Sequence, residues 1–316
     1  MKDFRVLITE KCNAKCPTCF NRNIRAGYEM DIEDFKNLCK YLANEGEIKK
    51  LKIMGGEPTV HPDFVKIIEC AQKNFHSVHI FTNAINDELL KITPRAQDSI
   101  IYNVSCLDED FDISKLLIDK PGGRLFETQL SSDCNLDKTK RVLFKMKKYL
   151  PNEKIAIALT LNCVENIFKN KYKIISIWNE ISNFIHQELN IDYNIDHNIP
   201  YCFFVGSNMD IKLRRSICKI ECAGLINSRL QLQYCNQSQD VLCDLKEKGS
   251  FIPFQIVENR LQEYYFKKMS KNLSKICRNC IFFSRKCNGG CFMHKDFIDI
   301  ESIKSFSDLP FMNTEL

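Results

Sequence analysis

The sequence predicts an α/β protein: a partial (β/α)6 TIM-type barrel followed by a small cysteine-rich C-terminal domain. Three observations predict it. Short apolar runs of strand length alternate with helix-period segments six times over about the first 195 residues, a rhythm that builds parallel strands joined by crossover helices. That length falls short of the roughly 250 residues typical of a closed eightfold barrel. The rhythm then stops near residues 198–201 and cysteines crowd the remainder of the chain, so two domains are expected, 1–199 and 200–316.

The elements run in order along the chain. Residues 4–9 read as a buried strand, because Val6, Leu7 and Ile8 form a short apolar run before a cysteine-rich loop. Residues 31–43 read as a helix, with Asp31 as N-cap and Ile32, Phe35, Leu38 and Leu42 on one face. A second strand over 50–54 is stopped by Gly55-Gly56. Helix 62–74 carries Phe64, Ile67, Ile68 and Ala71 on one face; strand 78–82, short helix 87–92 and strand 100–105 come next. The stretch 109–135 breaks the rhythm and reads as an insertion, with Pro121-Gly122-Gly123 as a turn inside it. Helix 137–149, strand 155–161, helix 174–188 and strand 191–195 complete the alternation.

Composition narrows the function. A 44% hydrophobic and 27% charged chain with a formal charge of +5 is ordinary for a globular protein. No basic stripe points to nucleic acid; Lys145, Lys147 and Lys148 read as the solvated face of a helix. No run reaches membrane-span length and no export signal is visible, so a cytoplasmic protein is expected. Seventeen cysteines, an odd and clustered set, then read as metal ligands rather than disulfides.

Three cysteine or glycine motifs carry the chemistry. Cys12, Cys16 and Cys19 come after the first strand at C-x3-C-x2-C spacing. Thiolates are the usual ligands of iron–sulfur clusters, and three of them leave one iron of a four-iron cubane open to a cosubstrate. A zinc site with a fourth ligand is the rival reading. Gly55-Gly56-Glu57-Pro58 ends the second strand, where glycines permit close backbone approach and a carboxylate suits an ammonium group. Cys277, Cys280, Cys287 and Cys291 stand near the C-terminus at C-x2-C-x6-C-x3-C, with Cys218, Cys222 and Cys235 upstream. Zinc competes with iron–sulfur there as well.

The triad after a first strand and the Gly-Gly-Glu turn after the second resemble the radical S-adenosylmethionine (SAM) superfamily. The C-terminal cysteines resemble its SPASM/twitch-type auxiliary cluster domain. The resemblance implies a [4Fe-4S] cluster on Cys12, Cys16 and Cys19 that reductively cleaves SAM to a 5′-deoxyadenosyl radical. It implies SAM contacts at Phe20, Gly55, Gly56, Glu57, Ser105 and Asn162, with Thr18 in place of the family's frequent aromatic residue before the third cysteine. It further implies one or two auxiliary iron–sulfur clusters. Cys218, Cys222, Cys235 and Cys291 would hold one, and Cys277, Cys280 and Cys287 the other, with His294, Asp296, Cys243 or a substrate group as its fourth ligand. The implied activity is that of an oxidoreductase or maturase: hydrogen abstraction from a peptide or protein side chain, fed by a flavodoxin- or ferredoxin-type electron donor. A small-molecule substrate (nucleoside, sugar or cofactor precursor) and a non-catalytic iron–sulfur or zinc scaffold are the alternatives. The chain opens on the first barrel strand, so a separate peptide carrier, or the barrel mouth with the 109–135 stretch, is expected to recognise a peptide. No catalytic acid or base is assigned; Asp108, Glu109, Asp196 and His197 read as solvated. Cys39, Cys70 and Cys163 read as small core residues, while Cys106, Cys134 and Cys202 have no assigned role.

Overall fold

A computed structural model describes residues 3–16, 19, 27–116, 120–150, 154–159, 170–191, 193–195, 224–235, 238 and 240–272, with the backbone alone for 154–159, 193–195 and 272. Seven strands run parallel in sequence order: β1 (Asp3–Leu7), β2 (Lys50–Met54), β3 (Ser77–Thr82), β4 (Ser99–Asn103), β5 (Gly123–Leu130), β6 (Lys154–Leu159) and β7 (Tyr193–Ile195). The helices α1 (Ile32–Asn44), α2 (Phe64–Asn74), α3 (Leu136–Tyr149) and α4 (Lys171–Asn183) provide crossovers between them. This is the predicted partial α/β barrel, with one strand more than the six expected.

The extra strand is β5, and it lies within the stretch read as an insertion. Its inward and outward positions do not track hydropathy. Arg124, Phe126, Thr128 and Leu130 are buried, whereas Leu125, Glu127 and Gln129 are partly exposed. Two polar residues therefore occupy one packed face and an apolar one the more open face, which blurs the alternation that marks a strand in sequence. Arg124 is accommodated by donating to the carbonyls of Leu116 and Gly122. Pro121-Gly122-Gly123 does form the turn into β5, with Gly122 at a φ of +99°.

Local chemistry sets the helix starts. The Asp31 carboxylate accepts from Glu33 N at 2.8 Å and Asp34 N at 3.3 Å, capping α1 as predicted. Asn135 does the same for α3 by accepting from Lys138 N, and Lys147 and Lys148 sit in its last turn, where cations suit the helix dipole. Phe35, Leu38 and Leu42 from α1 meet Phe64, Ile67 and Ile68 from α2 over Val6, Ile53 and Ile80 of the sheet, all buried. Cys39 is buried in that layer and Cys70 packs against it, the core placement expected of both. Cys163 lies outside the described residues.

Beyond residue 200 the sequence pattern predicted no elements, and the structure adds several. Strands β8 (Leu225–Ile226), β9 (Gln231–Gln233) and β10 (Val241–Asp244) extend the barrel sheet on the free edge of β1, in the order β10-β9-β8-β1. β8 is parallel to β1, pairing Leu225 with Arg5 and Ile226 with Val6. A two-stranded ribbon comes next, β11 (Lys246–Glu247) with β12 (Ser250–Phe251), and then helix α5 (Phe254–Asn272). Phe251 stacks on Tyr41 at 4.6 Å, and Phe254 meets Phe4 edge-on and Tyr41 at a tilt, so this segment shares the barrel's core. Strands this short carry too few residues for a period to show. The boundary expected at 198–201 lies outside the described residues.

The barrel's floor is braced by one buried carboxylate. Asp98, immediately before β4, is 1% exposed and accepts from Val78 N and Arg95 Nη2 at Oδ1, and from Gln72 Nε2, Arg95 N and Arg95 Nε at Oδ2. Burial alone would raise its pKa, but the Arg95 guanidinium and the surrounding donors outweigh it and hold the carboxyl below the usual aspartate range. Its contribution to stability is therefore present above that range and is lost as pH falls through the depressed folded value. Asp98→Asn is expected to cost about 2–3 kcal/mol at neutral pH, by leaving the partly exposed Arg95 guanidinium and the buried donors around it facing an amide. Urea unfolding at neutral pH and near pH 3, below the unperturbed aspartate value of about 3.9, checks this. The gap between wild type and variant should narrow in acid; a constant gap would refute the charge-based account.

Candidate metal and cofactor site at the barrel mouth

The thiol loop leaves the C-terminal end of β1, the face where barrels of this kind place their chemistry. Both its ends are tied. Glu10 N donates to Tyr28 O and Met30 N to Ile8 O, each at 2.8 Å, and Thr9 faces Glu29 in an antiparallel bridge. The loop is thus closed at its neck. His61 supports the return strand: its Nδ1 accepts from Asp63 N, so Nε2 carries the proton and donates to Met30 O at 2.9 Å.

The turn after β2 grips the loop from the other side. Gly56 N donates to Thr9 O at 2.8 Å and Glu57 N to Lys11 O at 2.9 Å. A Cβ on Gly56 would lie 2.3 Å from Lys11 O, and one on Gly55 2.7 Å from Thr9 O. The sequence suggested that these glycines let a backbone approach a ligand. In the structure the backbone they admit is that of the cysteine loop itself.

Cys12, Cys16 and Cys19 stand half-buried along this loop. Ala14 N donates to Cys12 Sγ at 3.4 Å and Cys19 N to Cys16 O at 3.2 Å, which turns the chain between the thiols. Among the described residues no three His, Cys, Asp or Glu side chains converge as they would on a single metal ion. Three soft sulfur donors, accessible at the mouth and spread over a clamped loop, fit an iron–sulfur cluster.

A fourth thiol joins them. A 3-10 turn (Val104–Cys106) comes after β4, started by Asn103 accepting from Ser105 N, and brings Cys106 Sγ to 2.7 Å from Cys16 Sγ. The loop after β1 therefore reaches across the mouth to β4, three strands along the sheet. The contact with Cys16, and then burial, push the Cys106 thiol well above its ordinary range. Nothing in the spacing of Cys106 marks this role; only barrel curvature brings it to Cys16.

Glu57 ties the ends of β2 and β3 to the cysteine loop. It is 2% exposed. Oε1 accepts from Thr59 N at 3.2 Å and from the hydroxyls of Thr59 and Thr82 at 2.7 Å each. Oε2 accepts from Asn83 N at 2.7 Å and keeps acceptor capacity for one more donor. Burial pushes the carboxyl above its usual range, and the donors from Asn83, Thr59 and Thr82 pull it part of the way back. Asn83 Nδ2 in turn donates to Asn13 Oδ1 at 2.8 Å, inside the cysteine motif. Asn13 thus links the cysteine loop to the end of β3, a contact that its sequence position, a spacer between cysteines, does not reveal.

Ser105 is exposed at the mouth, and its hydroxyl clasps Gln129 of β5 by accepting from its N–H at 3.0 Å and donating to its carbonyl. At the rim, Glu10 lies 3.7 Å from Arg229, whose guanidinium stacks 3.6 Å from the centroid of the Tyr28 ring. The β8–β9 hairpin supplies Arg229. Cys235 lies past the end of β9, which runs antiparallel to β8, and so sits at the N-terminal end of β1, away from the thiol loop. Phe20 and Asn162 lie outside the described residues, as do Cys218, Cys222, Cys277, Cys280, Cys287 and Cys291.

A partial barrel with a clamped three-thiol loop across its mouth fits one class of protein, the iron–sulfur enzymes that carry a cluster at the barrel opening. Residues 6–162 match the Radical SAM superfamily, and the chain belongs to that superfamily. It is 34% identical over 103 residues to the probable GTP 3′,8-cyclase of Methanothermobacter marburgensis, 32% of this chain and 33% of that protein. It is 35% identical over 102 residues to the 7,8-dihydro-6-hydroxymethylpterin dimethyltransferase of Methanocaldococcus jannaschii, 30% of this chain and 20% of that protein. The matched segment thus spans a third or less of each of these relatives. The crystal structure of Streptococcus suis SuiB bound to precursor peptide SuiA shares the fold at a TM-score of 0.61 and 12% identity, over 96% of this chain and 73% of that one.

The domain over residues 6–162 is therefore that of enzymes that use SAM and a [4Fe-4S] cluster. When bound, the cluster supplies the electron that splits SAM into methionine and a carbon radical able to take hydrogen from a substrate. The chain's own contribution is positional. The two clamps fix the loop, Glu57 holds Asn83 against Asn13, and the barrel walls shield the opening. No helix among the described residues is long and apolar enough to cross a membrane.

Proposed function

We propose that Cys12, Cys16 and Cys19 hold the SAM-binding cluster and that the enzyme takes hydrogen from a peptide or protein side chain, leaving it oxidised or crosslinked. The observation that carries the peptide reading is the C-terminal cysteine pattern, Cys218, Cys222 and Cys235 with Cys277, Cys280, Cys287 and Cys291. It resembles the auxiliary-cluster extension of peptide-maturing members. The fold likeness to SuiB, a protein solved with its precursor peptide, covers 96% of this chain. The auxiliary clusters would accept the electron released in an oxidative step. A flavodoxin- or ferredoxin-type donor would reduce the first cluster, and a separate carrier could deliver the peptide.

One observation favours a second reading. The curated relatives are named for GTP and a pterin, which places small-molecule chemistry on similar barrel sequences. A single experiment separates the two. The anaerobically reconstituted enzyme is reduced with dithionite and given SAM, with peptides encoded near its gene or with GTP. The expected result is 5′-deoxyadenosine formation stimulated by one peptide, which loses the mass of two hydrogens. Stimulation by GTP with every peptide unchanged would replace the peptide reading with the small-molecule one.

A further inference from the structure

We propose that Cys16 and Cys106 form a reversible disulfide when the cluster is absent, so that oxidation closes the cluster site and reduction reopens it. The inference rests on Cys16 being a cluster ligand. Its basis is the sulfur-to-sulfur distance of 2.7 Å between two cysteines that are both thiols in the structure. That distance lies well inside the reach of an ordinary thiol contact and close to the roughly 2.05 Å of a disulfide. The two residues are 90 positions apart in sequence, on the loop after β1 and the turn after β4. Their approach is held by structure on both sides. Asn13, three residues before Cys16, is fastened to Asn83, and Cys106 ends a turn whose Ser105 is fastened to Gln129. A Cys16 thiolate bound to iron cannot also be one half of a disulfide. Cluster binding and the Cys16–Cys106 bond therefore exclude one another, and losing the cluster leaves Cys16 free to react with Cys106 beside it.

The reaction balances simply. Two thiols give up two protons and two electrons as the S–S bond forms; a peroxide accepts them and becomes water, or a low-molecular-weight disulfide accepts them and becomes two thiols. A dithiol reverses the step. The bond removes one of the three ligands, so an oxidised chain cannot take up a three-thiolate cluster until it is reduced. A cross-link over that separation also restrains the cluster-free chain by closing a long loop.

The test uses the full chain, stripped of iron with a chelator and exposed to oxidised glutathione. Remaining thiols are then alkylated, and the protein is digested and mapped by mass spectrometry. The expected result is a linked pair of fragments carrying Cys16 and Cys106. Iron uptake is then measured with and without dithiothreitol for wild type, Cys106→Ser and Cys12→Ala, the last giving the iron not held by the triad. Oxidised wild type should load triad iron only after dithiothreitol, whereas oxidised Cys106→Ser should load without it. Mapping that shows Cys16 joined to Cys12 or Cys19, or not joined at all, overturns the proposal. So does equal iron loading by oxidised wild type and Cys106→Ser. Reduced Cys106→Ser that binds less triad iron than wild type would make Cys106 a ligand instead, which also overturns it. If Cys12→Ala retains all iron, the triad reading fails, and the disulfide map is unaffected by that outcome.

Discussion

Gly56→Ala is expected to remove SAM cleavage almost entirely and to lower triad iron toward the level of Cys12→Ala. The added methyl would lie 2.3 Å from Lys11 O, 2.7 Å from Lys11 C and 2.8 Å from Glu10 O. All three are backbone atoms, so no rotamer change relieves the clash. The β2 turn must back away from the cysteine loop, giving up Gly56 N to Thr9 O and Glu57 N to Lys11 O. Overpacking of this kind costs about 1–3 kcal/mol, and each lost hydrogen bond adds about 1. Most of the barrel core is remote from the change, so the chain should still fold, with a lowered melting temperature. Iron per chain and 5′-deoxyadenosine yield are the measurements. Normal iron and normal cleavage in this variant would show that the clamp does not position the loop.

Glu57→Gln should be nearly as damaging, for an electrostatic reason. Four protein donors address the two carboxylate oxygens. An amide nitrogen placed at Oε2 would face the N–H of Asn83; placed at Oε1, it would face the N–H of Thr59. The threonine hydroxyls can turn to accept, but a backbone N–H cannot. One buried donor is left unpaired in either orientation, and the charge-assisted bonds are weakened, for a cost of about 2–4 kcal/mol. Asn83 then loosens from Asn13, and SAM affinity should fall along with the melting temperature. Asn13→Ala cuts the same chain at its far end without touching the carboxylate. It should reproduce the loss of SAM affinity with a smaller fall in melting temperature. If Glu57→Gln melts and binds SAM like wild type, the network is not what holds the loop.

Much of this protein is legible in its sequence because the deciding interactions are local. Asp31 caps α1 through its own second and third neighbours, so capping and apolar spacing suffice to place the helix. The run at Val6 to Ile8 and the stop at Gly55-Gly56 locate β1 and β2. The triad and the glycine turn signal the chemical class, since thiol spacing on one loop is a property of the chain alone. Strand β5 is hidden because Arg124 and Thr128 are buried while Leu125 is not, and only neighbouring carbonyls make that tolerable. Strands β8 to β10 are hidden because pairs so short draw their stability from the edge of β1 rather than from their own pattern.

The site divides along the same line. Residue order alone places three thiols after the first strand and a Gly-Gly-Glu turn after the second, which was enough for the superfamily and its cofactors. What those residues touch depends on the folded barrel. The glycines prove to be a seat for the cysteine loop, Glu57 the anchor of Asn83 and Asn13, and Cys106 a fourth sulfur beside Cys16. Each of these joins residues tens of positions apart whose meeting depends on the curvature of the barrel and the register of its strands. Neither quantity is written in the spacing of any one segment.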